Sequence, residues 1–327
     1  MEAAVVHRFG DVKNIRIEKN WPIPDFTDTQ VLVKVKASAV NPVDTYIRSG
    51  NYANLPKLPY IPGREGAGII EKVGSGVKNV APGDRVWFST PVTGSASTYS
   101  VVESTSVFPL PENISFVEGS TLGIAYLTAF RALFVKAKAR PGESIFVHGA
   151  SGGVGLAAVQ LGKAYNLKVY GTAGTTEGME VAKSQGADFM INHNEDNYVD
   201  KILEEKPEGF DIVLEMLANV NLNHDLCLVA KFGRICVIGN RGQIQIDPRR
   251  LMQKESSVVG VFLAHTSPQE MEEMGTEIVD LLRSKKLKPV IDLELPLNQL
   301  DEAHKQVIEK SSSKGKIVIN LDIPNAN

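Results

Sequence analysis

The chain is poor in cysteine and histidine and has no long apolar segment. It contains two cysteines and six histidines in 327 residues, without a C-x-x-C pair or a histidine spacing typical of zinc sites. We therefore expect no metal site, and we expect Cys227 and Cys236 to be core residues. No apolar run approaches the roughly 18 residues needed to cross a bilayer. The apolar run 3–6 is too short for a signal peptide, so a cytoplasmic protein is expected.

The sequence also lacks a strong excess of charge of either sign. Its 35 Lys and Arg residues against 38 Asp and Glu residues give a formal net charge of −3. No global positive field is therefore present to attract nucleic acid or an anionic membrane, and a small-molecule partner is favoured. The length, with 43% hydrophobic residues, allows two domains with substantial cores.

The apolar pattern divides the chain into two kinds of region. Up to about residue 111, short apolar runs are separated by proline and glycine, which indicates a β-rich region. From about residue 117, strand-like and helix-like runs alternate, as in a doubly wound parallel sheet of the α/β class. The six predicted strands are residues 144–148, 168–172, 189–192, 211–216, 234–239 and 257–262, with a helix predicted over 154–165 after the first of them.

The segment after residue 264 has no core of its own. It contains a predicted helix (268–284), a strand (290–293), a helix (300–309) and a final strand (316–321). We expect it to pack on the N-terminal β-rich region, so that residues 1–122 and 264–327 form one domain and residues 123–263 form the other.

A glycine-rich turn follows the first predicted strand of the second region. The sequence A-S-G-G-V-G from Ala150 matches G-x-G-x-x-G with alanine in the first place. Gly152 would let the backbone approach a pyrophosphate, and Gly155 would allow close packing of helix and strand. The helix that begins there offers free N–H groups to the phosphates, so the turn predicts a dinucleotide site.

Ligands of open α/β sheets bind outside the carboxyl ends of the strands, and suitable residues follow each predicted strand. The predicted cofactor-binding residues of this region are Ser151, Gly152, Gly153, Val154, Gly174, His193, Asn221, Ile238, Gly239, Asn240, Arg241, Val261, Phe262 and Leu263.

The end of the second strand predicts the kind of nicotinamide cofactor. NAD sites usually carry Asp or Glu there, but this chain has Ala173 and Gly174, which leave room for a 2′-phosphate. The cations that could pair with the phosphate are His193, Arg241 and Lys314 or Lys316. Each of them could equally be an ordinary solvated charge.

Several longer strings resemble one family. They are V-N-P-V-D-T-Y-I-R-S-G from Val40, Y-I-P-G from Tyr60, P-G-D-R-V from Pro82, V-H-G-A-S-G-G-V-G from Val147, G-T-A-G from Gly171, E-M-L-A-N-V-N-L from Glu215 and K-E-S-S from Lys254. The chain resembles the medium-chain dehydrogenase/reductase (MDR) superfamily over nearly its whole length, and within it the zeta-crystallin type of NADPH:quinone oxidoreductase. The resemblance implies a GroES-like β-rich catalytic domain and a Rossmann domain, with NADPH in the cleft between them.

The resemblance also bears on the chemistry. Zinc-dependent relatives hold catalytic zinc at places where this chain has Asn41, Arg64 and Ile124, which cannot form a thiolate and imidazole site. It therefore implies metal-free reduction of a quinone, ortho-quinones included. It places Tyr46 beside the nicotinamide, as a catalytic and a cofactor-binding residue, with Asn41 nearby and Tyr52 at the mouth of the substrate cleft. The two tyrosines could instead be half-buried packing residues.

Three further expectations follow from the resemblance. An NADPH-dependent reductase of alkenals or enones has the same fold and cofactor and is an alternative activity. A zeta-crystallin-like role in binding AU-rich messenger RNA is another, although the sequence offers only local basic clusters. A homo-oligomer, dimer or tetramer, is expected through the edge of the nucleotide domain near residues 257–262.

Overall fold

The computed structural model describes residues 1–309 and 313–325, which form two compact units. The first, here the N-terminal unit, contains Met1–Ile124 and nearly all described residues from Ser267 onward. The second, here the central unit, contains Ala125–Thr266. No helix in the described part of the chain is long and apolar enough to cross a membrane.

Strands dominate the N-terminal unit. Its elements are β1 (Ala3–Val6), β2 (Ile15–Glu18), β3 (Gln30–Val40), α1 (Pro42–Ser49), β4 (Glu65–Val73), β5 (Arg85–Ser89), β6 (Tyr99–Glu103), β7 (Val107–Pro109), α2 (Phe116–Gly119), α9 (Pro268–Arg283), β14 (Ile291–Leu295), α10 (Leu300–Glu309) and β15 (Lys316–Asn320). Short 3₁₀ helices lie at Val12–Asn14, Ser104–Ser106 and Leu297–Gln299.

Strands and helices alternate in the central unit. Its elements are α3 (Leu127–Phe130), β8 (Ser144–Val147), α4 (Gly153–Ala164), β9 (Lys168–Ala173), α5 (Thr176–Ser184), β10 (Phe189–Asn192), α6 (Tyr198–Glu205), β11 (Phe210–Glu215), α7 (Ala218–Leu228), β12 (Val229–Val237), α8 (Pro248–Lys254) and β13 (Ser257–Gly260). The π-helical turns are Leu122–Tyr126 and Arg131–Lys136, and a 3₁₀ helix lies at Leu263–His265.

The C-terminal segment joins the sheet of the N-terminal unit. The order of that sheet is β14-β15-β3-β4-β5-β7, with β6 also paired to β3. β15 runs antiparallel to β3, with Ile317 opposite Val40 and Val318 opposite Ala39. Val318 and Ile319 are fully buried, because the segment fills a core that the first 124 residues leave open.

The central unit contains the predicted parallel sheet. The six strands lie in the order β10-β9-β8-β11-β12-β13, and every neighbouring pair is parallel. Numbered within this unit, that order is 3-2-1-4-5-6, the doubly wound arrangement. The strand Ser144–Val147 is buried throughout, and its last three residues are apolar, because helices cover both faces of the sheet. All six predicted strands are confirmed in type, with ends shifted by a few residues.

One expectation about the core is wrong. Cys236 on β12 is buried as predicted, but Cys227 on α7 is only partly buried. It lies on the side of α7 that faces α8, where Arg250 contacts its sulfur and Lys254 donates to its carbonyl oxygen. The expectation rested on the hydrophobic character of free cysteine, which does not distinguish this polar contact from core packing.

Candidate functional site

The predicted cofactor-binding residues of the central unit lie at one edge of its sheet, in the loops that follow the strands or in the first turn of the helices that come next. Parallel strands end at the same edge, so the loops after β8 to β13 meet there. Backbone hydrogen bonds join neighbouring loops: His193 N–H donates to Ala173 O over 3.1 Å, and Ala218 N–H donates to Gly239 O over 2.9 Å. The Asn219 side chain accepts from Arg241 N–H over 2.8 Å. The structure therefore groups residues that are up to 112 positions apart, from Ser151 to Leu263.

The glycine-rich turn has the shape that a pyrophosphate requires. Gly152 is the N-cap of α4 and brings no side chain to its first N–H groups, so these stay open to an anion. At Gly155 a Cβ would lie 2.3 Å from Gly149 O, so only glycine allows the helix to begin this close to the turn. These features fit the phosphates of a dinucleotide.

The end of β9 presents small residues and no carboxylate. The carbonyl oxygen of Gly174 accepts from Asn194 Nδ2 over 2.9 Å, which fixes this loop against the one that follows β10. His193 lies beside it, because its N–H is bonded to Ala173. The His193 ring is exposed, yet the protein around it desolvates it enough to lower its pKa, so its positive charge at neutral pH is reduced.

Lys316 is not a partner for a cofactor phosphate, and that alternative is wrong. Its Nζ is buried in the N-terminal unit, where it donates to Glu65 Oε1 over 2.8 Å and to Val40 O over 3.3 Å. It also donates to Asn41 Oδ1. The antiparallel register of β15 with β3 brings the lysine to this position. Because the two strands are far apart in the sequence, their pairing could not be predicted from residue spacing.

Asn41, Glu65 and Lys316 form a closed polar network, here the Lys316 network. Asn41 Nδ2 donates to Glu65 Oε1 over 2.8 Å, and Ile124 N–H donates to Glu65 Oε2 over 2.7 Å. Glu65 is fully buried and Lys316 is 7% exposed, so the two charges neutralise each other away from water. The family resemblance implies that Asn41 and Ile124 stand at two of the places where zinc-dependent relatives hold their metal. Here these places hold an ammonium group and its partners.

The three predicted catalytic residues belong to one short stretch. Asn41 is the N-cap of α1, and Asp44 completes a capping box by accepting from Asn41 N–H over 2.8 Å. Tyr46 lies half-buried on α1, and half-buried Tyr52 follows the left-handed cap Gly50 by two residues. Both ends of the Asn41 amide are already bonded within the Lys316 network, so its position is fixed.

The sequence reasoning missed a second buried cluster, in the central unit. His148, at the end of β8, has its Nε2 2.7 Å from Asp225 Oδ1 and 3.4 Å from Glu215 Oε2. These residue types can also bind metals, and their ligand atoms lie within 4.8 Å of one another. The short contact between His148 and Asp225 pairs them with each other, so we interpret the group as a hydrogen-bonded cluster, here the His148 cluster.

The His148 cluster supports the loop after β11. Glu215 Oε1 accepts from Leu217 N–H and from Asn221 Nδ2, and Asn221 is one of the predicted cofactor-binding residues. Burial lowers the pKa of His148, although the nearby Glu215 opposes this. Because β8 and β11 are neighbours in the sheet, His148 and Glu215 at their ends had to meet. The adjacency of these two strands in a doubly wound sheet is the signal from which this contact could have been predicted.

Two family models match the chain. The model for the alcohol dehydrogenase GroES-like domain matches residues 27–112, and the model for zinc-binding dehydrogenases matches residues 153–280. The first lies in the N-terminal unit and the second is centred on the central unit.

Full-length relatives narrow the family further. The quinone oxidoreductase of Homo sapiens is 45% identical over 322 residues, which cover 98% of each chain. This chain belongs to the quinone oxidoreductase family. As a member of that family, within the MDR superfamily, it is an oxidoreductase that uses a nicotinamide cofactor.

Solved structures agree on the fold. The structure of Escherichia coli quinone oxidoreductase complexed with NADPH has a TM-score of 0.88 and 28% identity, covering 98% of this chain and 100% of the other. An NAD-dependent alcohol dehydrogenase has a TM-score of 0.91 and 25% identity, covering 98% and 100%. Since enzymes named for different reactions have this backbone, the reaction must be argued from side chains.

Proposed function

We propose that the chain reduces quinones, ortho-quinones included, with NADPH and without a metal ion. The observation that carries the proposal is the Lys316 network, which ties up Asn41, Glu65 and the Ile124 N–H with one another. A Lewis acid is what alcohol oxidation needs in order to lower the pKa of the alcohol, whereas a quinone is already electrophilic. Relatives at 42–45% identity that are named quinone oxidoreductases support the same substrate.

The preference for NADPH is supported by the end of β9. No carboxylate there would repel a 2′-phosphate, and Gly174 leaves space for one. The open N–H groups at the start of α4 would bind the pyrophosphate. The E. coli neighbour, whose structure contains NADPH, supports this choice.

In this proposal the protein contributes binding and orientation. Bound NADPH supplies the hydride. Tyr46 would fix the nicotinamide ring, Asn41 would be held in place by Lys316 and Glu65, and Tyr52 would border the quinone. Proximity and orientation of this kind account for a large share of rate enhancement, and water could supply the remaining proton.

The test is NADPH oxidation by the purified, chelator-treated protein with 9,10-phenanthrenequinone, compared with alcohol oxidation and NADP⁺. Quinone-dependent turnover that survives chelation is expected. Gly174→Asp should raise the KM for NADPH about 100-fold through charge repulsion while leaving that for NADH unchanged, which makes NADH the internal control. Turnover that is lost on chelation would reject the proposal.

The other expectations stay predictions. An enone panel in the same assay separates quinone reduction from alkenal or enone reduction. A salt-dependent gel shift with AU-rich RNA tests RNA binding, and sedimentation velocity tests the dimer or tetramer.

A further inference from the structure

The His148 cluster joins three of the loops that carry the predicted cofactor-binding residues. His148 lies between β8 and the glycine-rich turn, and Glu215 is the last residue of β11. Asp225 lies on α7, the helix that follows β11. The backbone oxygen of Glu215 accepts from the N–H groups of Ile238 and Gly239, over 2.8 and 3.2 Å. The cluster is therefore bonded to the loop after β12 as well as to the ends of β8 and β11.

The Glu215 side chain holds a third predicted cofactor-binding residue, Asn221. Its Oε1 accepts from Leu217 N–H and, over 3.3 Å, from Asn221 Nδ2. Asn221 and Asp225 are four positions apart on α7, so they lie on the same face of that helix. A contact between the carboxyl groups of Glu215 and Asp225 therefore holds the face of α7 that carries Asn221 against the end of β11.

The carboxyl groups of Glu215 and Asp225 need a proton between them. Both side chains are fully buried, and one oxygen of each lies within 4.8 Å of the other and of a His148 nitrogen. Glu215 Oε2 and Asp225 Oδ2 have no donor among the described residues, since His148 Nε2 can donate only one hydrogen and lies 2.7 Å from Asp225 Oδ1. Burial raises the pKa of Glu215 to about 7, with His148 opposing this and the charge and hydrogen bond of Asp225 adding to it. A proton on Glu215 that is donated to Asp225 supplies the missing donor.

We propose that this shared proton positions the loops for the dinucleotide: with it, Glu215 and Asp225 hold Asn221 in place, and without it they repel each other and the dinucleotide binds more weakly. Two negative charges this close together repel strongly away from water. Glu215 and Asp225 are positioning residues, because they act through the loops that they hold. That role depends on the proposed function, since the dinucleotide must bind at these loops.

The direction of the pH dependence follows from this role. Dinucleotide binding selects the protonated cluster, so a proton is taken up on binding wherever the free cluster has lost it. Because the raised pKa values of Glu215 and Asp225 are both about 7, the proton is lost from the free protein as pH rises from 7 to 9. The Kd for NADPH should therefore rise about tenfold over this range.

The other groups that face the cluster do not change charge in this range. Burial lowers the pKa of His193, after β10, and burial raises the pKa of Tyr198, on α6, to about 12, so both rings are uncharged from pH 7 to pH 9. The cations of α8, Arg250 and Lys254, contact Cys227, which is about 200° around α7 from the cluster. The phosphate groups of NADPH are ionised throughout.

The test is titration of the purified protein with NADPH at pH 7, 8 and 9, without quinone, followed by NADPH fluorescence. The same titrations with NADH show whether the effect is common to both nucleotides, as expected for loops that they share. Calorimetry at pH 8 in phosphate and in Tris, buffers with different enthalpies of ionisation, measures the proton uptake directly. A change in packing alone would not produce this uptake.

Two variants separate the proton from the contacts. Glu215→Gln keeps an oxygen for Leu217 N–H and Asn221 Nδ2, and its NH₂ group donates to Asp225 at every pH. It should bind NADPH as the unmodified protein does at pH 7 and keep that Kd at pH 9, without proton uptake. Glu215→Ala removes the contacts and should weaken binding at every pH. Glu204→Gln, at an exposed position on α6, is the matched control and should retain the full pH dependence.

A Kd that is the same at pH 7 and pH 9 in the unmodified protein would overturn the proposal, and so would full pH dependence in Glu215→Gln. Should that variant fail to fold, Asp225→Asn decides the matter, because it also removes the shared proton, and full pH dependence there would have the same meaning. Loss of quinone turnover with this pH dependence intact would reject only the proposed quinone reduction. A constant Kd with quinone turnover intact would reject only the role of the proton.

Discussion

Glu65 in the N-terminal unit and the two carboxyl groups of the His148 cluster in the central unit are all buried, but they are neutralised in different ways. In the N-terminal unit, Glu65 is paired with the ammonium of Lys316, and within the described residues none of the polar atoms of this network is buried without a partner. In the central unit, Glu215 and Asp225 share one histidine whose pKa is lowered, and each has a buried oxygen without a hydrogen-bond partner among the described residues. One carboxylate is neutralised by a permanent cation, and the others must be neutralised by protons.

The pKa values follow from this difference. Burial raises the pKa of Glu215 to about 7, even though the nearby His148 lowers it, and burial raises the pKa of Asp225 to about 7. At Glu215 and Asp225 the folded central unit therefore keeps protons that the unfolded chain would lose. Stability that depends on a lysine changes little with pH near neutrality, whereas stability that depends on shared protons does change.

The largest expected effect is the loss of the permanent cation. Lys316→Met leaves Glu65 buried and unpaired, so the free energy of unfolding should fall by about 3–5 kcal/mol. Urea unfolding followed by tryptophan fluorescence measures the unfolding free energy of the N-terminal unit, because Trp21 and Trp87, the two tryptophans of the chain, both lie in that unit. Adding Glu65→Gln in the same chain should restore much of the loss.

Lys36→Met is the matched control. Lys36 pairs with Asp322 over 2.8 Å in the same unit, but Asp322 is 60% exposed. Exposed pairs contribute about 0–1 kcal/mol, so this variant should change stability little. If both lysine variants cost the same, the Lys316 network is no more than a surface-like ion pair, and the contrast between the units disappears.

The next effect concerns the pH dependence of the central unit. Between about pH 4 and 7 the folded state binds more protons at Asp225 than the unfolded state does, because its folded pKa is raised. Its contribution to stability therefore falls as pH rises through this window. Asp225→Asn removes it, so the difference in unfolding free energy between pH 5 and pH 8 should shift by about 2 kcal/mol toward greater stability at pH 8.

Calorimetric unfolding at the two pH values measures this shift, with Asp188→Asn as a control on an exposed carboxylate of the same unit. Parallel behaviour of the unmodified protein and Asp225→Asn would show that the His148 cluster does not hold extra protons. The amide oxygen that the Asp225→Asn variant introduces can still accept from His148, so a simple loss of packing is not expected to mimic the result.

The comparison also shows which features the sequence could predict. Apolar periodicity and the glycine-rich turn were enough to predict the six parallel strands. The sequence did not predict the Lys316 network or the His148 cluster, because each depends on the order of the strands in its sheet. Lys316 is 275 positions from Asn41, and the expectation that it could pair with a phosphate treated it as a loop charge. Residue spacing reveals periodic contacts but not which strands become neighbours.

The smallest effect concerns a buried histidine of the N-terminal unit that lies outside the Lys316 network. His304 on α10 is 2% exposed, and burial lowers its pKa to about 3, with Arg48 adding to the effect. A depressed histidine pKa means that the unfolded state binds the extra proton below about pH 6.5, so stability is lost as pH falls. His304→Leu should abolish about 1 kcal/mol of the loss between pH 7 and pH 5.5, measured by tryptophan fluorescence. If the His304→Leu variant lost as much stability between pH 7 and pH 5.5 as the unmodified protein, His304 would not be the source of the acid sensitivity. The expected outcome would show that His304 weakens the N-terminal unit in acid, a contribution opposite in sign to that of the Asp225 carboxyl in the central unit.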